Sequence, residues 1–575
     1  MGYQYLNMHF MLPVLLSSLA LSCTEGRGVN GGFSCAACTV LFGMTDQLAQ
    51  IHNETLLVAS LRLCEMIPHP LGSYCKEAVE TLEPILINVK MSQVFTPDVL
   101  CYSLGMCYLD PGHGFCHLFP RPRYNFRHTV QRAEKLVAPV RHKWDRHVTR
   151  LNYDLCRLPG IHQLCELIGA NWVKMAPAID LDEDMFSLVE FARGSHWRGR
   201  DCRDWDRDSH PGLQPRGGDI DADYNCNGIW GRNPDTGKAF EEELCDSSGA
   251  RGLIVLGDSV SAHFHFPQAW MNPLLISRET LHNYTGPLLD ELDWPQLGYT
   301  TGYMNTSEPL LIKGETDSLY LRLRAHNRCN HRDYQNVCRN GASSEDLLQY
   351  VRNVARSANS SKPAVVLYAA FGNDVCNSYA DTVKHMTTPK RFRQNVLYVL
   401  KYLNDTLPPG SHVLLIGLVD GGFIFPTMAD RLHPLGQLRG DVRYKDVYRW
   451  FTCMEIGPCV GWMTPNATLR NIASQTSVKL NQVLQDLAVS NKFSTFELHY
   501  LENPIMQVFS EWRAQGKPIW QLIDPIDSLH PNQAAQPLIA DTFWKDIMQK
   551  TPRIFGPENP NNARIMQLFG DQGGH

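Results

Sequence analysis

Apolar residues recur three and four positions apart through Val40, Leu41, Met44 and Leu48, and again through Leu56, Leu57 and Leu61. That is the period of helices with one buried stripe, and it predicts about four helices between Cys35 and Cys107. From about Gly252 the rhythm changes. Apolar runs, Leu253–Leu256, Ala364–Ala370 and His412–Leu418, alternate there with helical patterns. Strands buried on both faces read this way, so the second half predicts an α/β domain built on a parallel sheet. Between the two regions, Asp180–Asn227 is dense in acids and has no regular apolar period. Near the start, the short apolar run Leu12–Ser22 contains Pro13 and ends in the small residues Ala20 and Ser22 before Cys23. It predicts a secretory signal and is too short to anchor the chain in a bilayer.

These patterns divide the 575 residues into a signal (1–22), a helical cysteine-rich domain (31–113), a basic linker (114–152), an Asp/Cys-rich segment (153–248), the α/β domain (249–548) and a tail (549–575). A net charge of −6 gives no overall attraction to nucleic acid. Eighteen cysteines, several in short-spaced pairs, predict disulfides and an oxidising compartment. Sequons at Asn53, Asn283, Asn305, Asn359, Asn404 and Asn466 predict glycosylation and point to the same place, outside the cell or within lysosomes and vesicles.

Two charged stretches carry candidate chemistry. Arg121, Arg123, Arg127, Arg132, Lys135, Arg141, Lys143, Arg146 and Arg150 are opposed only by Glu134 and Asp145. Such a linker suits proteolytic processing into a small and a large chain, contact with phosphorylated headgroups, or plain solvation. In the acidic segment, Asp180, Asp182 and Asp184 alternate so that three carboxylates and the Phe186 carbonyl can converge on one hard cation. The loop departs from a full EF-hand, with Met185 at its sixth position and Phe191 at its twelfth. A second run carries Asp201, Arg203, Asp204, Asp206 and Asp208 before a Pro-Gly turn, and a third Asp219, Asp221, Asp223, Asn225, Asn227 and Ile229. Carboxylates this crowded repel unless a cation neutralises them. Calcium, several ions with a structural role, is the expected cofactor, because oxygen donors disfavour zinc.

In the α/β region, the run Leu253-Ile-Val-Leu256 leads straight into Gly257-Asp258-Ser259, a strand-to-helix turn of the kind that presents a nucleophile. Further blocks follow in order: Asn340-Gly341-Ala-Ser343, Gly372-Asn373-Asp374 and Asp527-Ser-Leu-His530.

The spacing of Cys35, Cys38, Cys64, Cys75, Cys101 and Cys107 over those helices resembles the saposin B-type domain, which binds lipid. The resemblance implies the bridges Cys35–Cys107, Cys38–Cys101 and Cys64–Cys75. The acidic runs resemble an Asp/Cys-rich calcium motif, which implies Cys202–Cys226 and the ligands named above, Phe186, Arg203 and Ile229 among them.

The four later blocks resemble the GDSL, or SGNH, hydrolases, whose fold is a flavodoxin-like parallel sheet flanked by helices. That resemblance implies Ser259 as nucleophile, His530 as base, Asp527 as its orienting partner, and an oxyanion hole from Ser259, Gly341 and Asn373. Gly298 and Gly302 also lie between the Ser and Asn blocks, and His263, His265 and His331 compete as the histidine.

The three-part combination resembles a family of secreted hydrolases acting on bacterial lipopolysaccharide. It implies removal of the secondary fatty chains from lipid A, and a precursor whose two chains stay joined by a disulfide, with Cys116 and either Cys453 or Cys459 as candidate partners. A broader phospholipase or acyltransferase with the same triad, and a non-enzymatic lipid-presenting protein, are the other readings.

Overall fold

The computed structural model describes residues 28–69, 71–87, 95–122, 125–154, 175–282, 284–306 and 308–575. The predicted signal run and Asn283 lie outside the described residues. The N-terminal unit consists of α1 (Gly32–His52), α2 (Leu56–Met66), α3 (Leu71–Leu86), α4 (Pro97–Ser103) and α5 (Phe126–Asp154). Threonine hydroxyls start two of them: Thr55 accepts from the Val58 N–H and Thr96 from the Val99 N–H, each replacing a partner that a first helical turn lacks. Disulfides Cys35–Cys107 and Cys38–Cys101 tie α1 to the α4 region, and Cys64–Cys75 ties α2 to α3.

The stretch read as a basic linker is, from Phe126 on, a helix of the bundle. Val130, Ala133, Val137, Val140 and Trp144 recur at helical spacing and are buried, while Arg127, Arg132, Lys135 and Lys143 face water. The count of basic residues had masked this apolar stripe. Arg141 donates to the Ser103 carbonyl and the Trp144 indole to the Leu104 carbonyl, so α5 closes over the end of α4.

The second unit is a five-stranded sheet of β1 (Gly252–Gly257), β2 (Tyr334–Cys338), β3 (Ala364–Ala369), β4 (Ser411–Ile416) and β5 (Phe496–Leu501), all parallel, in spatial order β2-β1-β3-β4-β5. Every residue of β1, β3 and β4 is buried, as helices on both faces require. Neighbouring strands on either side of β1 are reached by connections running in opposite directions. The strand order therefore switches there, and the crevice beyond the strand C-termini is where such sheets bind ligands.

Between the units, residues 175–248 form mostly irregular loops, with a 3-10 turn at Gly217–Asp219 and a short helix at Phe240–Leu244; Cys202–Cys226 holds them, and Cys245–Cys329 ties their end to the α/β unit. Residues 549–575, expected as a tail, are folded: Ile554, Phe555 and Ile565 are buried, and Gln572 donates to the Asn227 and Arg328 carbonyls. A further disulfide, Cys116–Cys453, joins the helical unit to the α/β unit, and Cys376–Cys459 lies within the latter. One apolar core runs through both, from Val40 and Trp144 of the bundle to Phe264, Trp450 and Ile526.

Trp144→Ala should cost about 3–5 kcal/mol by cavity formation, read as lost amide protection across α4 and α5 with hydrolysis of a water-soluble short-chain ester retained. Unchanged protection would mean that α5 is not part of the bundle.

Candidate active site

The C-terminal end of β1 sets the site. Asp258 leaves the strand with extended backbone and caps a single helical turn, Ser259–Ala262, by accepting from the Val260 N–H through Oδ1. Its Oδ2 accepts from the Phe371 and Gly372 N–H groups beyond β3, at 2.7 and 3.3 Å. The carboxylate thus ties the nucleophile's turn to the loop that carries Asn373. Burial pushes its pKa up to about 6 against the pull of these N–H groups. Asp258 stands inside the motif, yet the motif reading assigned it no role.

Ser259 Oγ lies 2.7 Å from His530 Nε2, and His530 Nδ1 lies 2.8 Å from Asp527 Oδ2. Asp527 Oδ1 accepts from the backbone N–H groups of Leu529 and His530, so carboxylate and imidazole belong to one tight turn. Burial alone would lower the His530 pKa, but the charge and hydrogen bond of Asp527 outweigh it and raise the pKa above its ordinary 6.5.

The turn itself is clamped from outside. Asp524 is fully buried, accepts from the Ile526 and Asp527 N–H groups through Oδ1, and meets His265 Nδ1 at 2.6 Å through Oδ2. Tyr444 donates to the Pro525 carbonyl, His433 Nε2 to the Ile526 carbonyl, and Tyr448 to Ser528 Oγ. Sequence reading missed these supports, because each is a tertiary contact between residues far apart in the chain.

The competing histidines are placed elsewhere. His265 is committed to Asp524 and the Leu311 carbonyl, His331 to Arg324 and the Gly574 carbonyl, and the buried ring of His263 has no hydrogen-bond partner. Gly341 adopts φ 79°, a left-handed turn that suits glycine, and the Asn373 amide donates to the neighbouring Ala342 carbonyl at 3.0 Å. Gly298 and Gly302 are buried, pressed against His263 Cβ and against the backbone of their own loop.

Ser259, Asn373 and His530 open onto a cavity of about 60 Å³ whose walls include Val419, Phe423, Ile424, Trp462, Ile505 and Phe509. These walls suit an acyl chain. A second cavity, of about 80 Å³ and almost wholly apolar, lies inside the helical unit between Leu41, Phe42, Leu63, Val79, Leu82 and Trp144.

In the acidic segment, carboxylate oxygens of Asp180, Asp182 and Asp204 come within 4.8 Å of one another, and so do those of Asp182, Asp184 and Asp201. One oxygen each of Asp182, Asp184 and Asp201 is buried without a hydrogen-bond partner. Burial, with Asp201, Asp182 and Asp180 alongside, pushes Asp184 up to about 8; burial and Asp182 and Asp204 push Asp201 up to about 7. Orphaned oxygens converging in a like-charged cluster fit a hard cation.

The remaining expected ligands lie outside these two groups of three. Asp206 accepts from Ser209 Oγ in its own loop, and Asp221 is exposed. Asp219 and Asp223 are occupied by backbone N–H groups, while the Asn225 and Asn227 amides both donate to Glu241 Oε1. Phe186, expected to bind through its carbonyl, and Arg203 and Ile229 use their N–H groups to brace the side-chain oxygens of Asp184, Asp201 and Asn227. Glu241, buried with one orphaned oxygen, had escaped the sequence reading because it lies beyond the acidic run.

Residues 34–166 match the saposin-like domain family and residues 253–543 the GDSL-like lipase/acylhydrolase family. Curated relatives called acyloxyacyl hydrolase are 40% identical: that of Homo sapiens over 95% of this chain and 94% of its own length, and those of Mus musculus and Oryctolagus cuniculus over 98% of both. Among solved structures, the C-terminal catalytic domain of the Streptococcus pneumoniae peptidoglycan O-acetyltransferase A is similar at 12% identity and TM-score 0.23, covering 53% of this chain and 96% of that one. A GDSL-type ester hydrolase domain joined to a saposin-like domain, with relatives at this identity along nearly the whole chain, places the protein in the acyloxyacyl hydrolase family.

Proposed function

We propose that this enzyme removes the secondary, acyloxyacyl-linked fatty chains from the lipid A of bacterial lipopolysaccharide, leaving the primary chains in place and detoxifying it. The observation that carries the proposal is the Ser259–His530–Asp527 relay, with contacts of 2.7 and 2.8 Å, opening onto an apolar cavity in a chain that also holds a saposin-like bundle with a cavity of its own. Seven disulfides among the described residues support action in an oxidising compartment, outside the cell or in lysosomes and vesicles. Cys116–Cys453 supports the view that a cut after the bundle would leave two chains joined.

In the reaction, Ser259 Oγ attacks the acyl carbonyl while His530 Nε2 takes its proton, and Asp527 stabilises the imidazolium. Donors from the Ser259 and Gly341 backbone and the Asn373 amide stabilise the oxyanion, whose collapse expels the hydroxyl of the primary chain with a proton from His530. Water, activated by the same imidazole, then releases the fatty acid and restores Ser259. Asp180, Asp182, Asp184, Asp201 and Asp204 would hold calcium, which would cross-link the acidic loops rather than take part in the chemistry. Asp206, Asp219, Asp221, Asp223, Asn225 and Asn227, with Phe186, Arg203 and Ile229, we assign to further structural calcium ions; buried Glu241, with an orphaned oxygen beside Asn225 and Asn227, supports this.

Purified protein should release only secondary fatty acids from lipopolysaccharide, and Ser259→Ala should release none; cleavage of phospholipid alone by the wild type would leave the triad standing and remove the lipid A assignment. Since the base must be neutral and its pKa is raised, activity should fall on acidification with a midpoint above 6.5. Asp527→Asn should lower kcat by about 10⁴ and move that midpoint down, because burial is then opposed only by the charges of Asp524 and Asp258. Stringent chelation should loosen the 180–204 loops, read as increased proteolysis there. Undiminished protection and activity after chelation would overturn the calcium role.

A further inference from the structure

At the end of the sheet opposite the triad, β4 and β5 bring three further ligand-type side chains together. His412 is the second residue of β4 and stands in register with Glu497, the second residue of β5; His499, two positions on, shares the Glu497 face by strand alternation. His412 Nδ1 lies 3.3 Å from His499 Nε2, and Glu497 Oε2 lies 3.8 and 3.6 Å from these two nitrogens. Ser259 and Asn373 follow the C-terminal ends of β1 and β3, so the cluster is separate from the catalytic site.

We propose that His412, Glu497 and His499 form a binding site for a divalent transition metal, zinc above all. The separations carry the argument. Four ligands at zinc–nitrogen and zinc–oxygen distances of about 2.0–2.2 Å stand about 3.3–3.6 Å apart at the corners of a tetrahedron. The three separations here are 3.3, 3.6 and 3.8 Å, whereas 3.3 Å is long for a direct hydrogen bond between two imidazoles.

Two imidazoles and one carboxylate are the donor set of three-ligand zinc sites, which keep a fourth position for water. Glu497 is 53% exposed, so solvent reaches the cluster from its side. The nitrogen donors also separate this site from the all-oxygen cluster at Asp180–Asp204, which favours a harder cation.

What opposes binding is the charge of Arg251 beside His412, and above all Arg553, whose guanidinium lies 2.9 Å from Glu497 Oε2. Its side chain is 68% exposed, and an ion pair in water is worth about 0–1 kcal/mol, so a metal displaces it at little cost. A bound metal would tie the edge strand β5 to β4 more firmly than the loose His412–His499 and His412–Glu497 contacts do.

Equilibrium dialysis against zinc alone, in calcium-containing buffer, tests the site. The wild type should retain one more equivalent of zinc than His412→Ala or His499→Ala, and cobalt in its place should give the intense visible absorption of a tetrahedral centre. Glu497→Gln, at a half-exposed position that cannot threaten the fold, should weaken zinc at least tenfold. All three variants should hydrolyse a short-chain ester at the wild-type rate, which verifies folding. Equal zinc retention in the wild type and a folded variant, or no retention by the wild type, would overturn the proposal.

Discussion

Ser259 and His530 are 271 residues apart in the chain and 2.7 Å apart in space. An unassisted serine hydroxyl is too weak an acid to attack an ester, and only a base held within hydrogen-bonding reach makes it competent. Holding that distance is the task of the α/β unit. The nucleophile hangs from β1, an interior strand of the sheet, and the base hangs from a turn after β5 that has no strand of its own. Their alignment depends on what grips that turn.

The grip is electrostatic. Asp524 and Asp527 lie three residues apart and are both buried, an arrangement that repulsion forbids unless each has its own cation or donors. Asp527 has His530 and two backbone N–H groups; Asp524 has His265 and two more. His265 follows the nucleophile's helical turn by three residues, so the second pair fastens the segment after Ser259 to the segment before His530. The two halves of the relay are thereby positioned by an ion pair that takes no part in the chemistry. Removing one partner would leave an uncompensated charge in the interior, which costs more than the pair itself contributes.

Legibility in the sequence followed the range of the signal. The sheet was readable because Leu253–Leu256 and Ala364–Ala370 are continuous apolar runs, and the bundle because its stripe is periodic. Motif spacing singled out Ser259, Asn373, Asp527 and His530, residues that the fold then gathers at one end of the sheet. The stretch after His117 misled because charge outnumbers apolar residues, although burial of Val130, Val137 and Trp144 makes it a bundle helix. Asp258, Asp524, His265 and Glu241 were invisible as functional groups. Their roles exist only when segments separated by tens to hundreds of residues meet, and a sequence read along its length does not show that.

The same reasoning explains why a lipid hydrolase carries its helical unit fused rather than separate. Each methylene of an acyl chain prefers an apolar surface to water by about 0.8 kcal/mol, so a chain that crossed open solvent between two sites would face a barrier growing with its length. Here the apolar core is continuous from the bundle to Ile526, the residue next to Asp527, and Cys116–Cys453 prevents the two units from parting. Fusion of this kind holds the bundle's apolar cavity at a fixed place relative to a serine that itself works through buried charge.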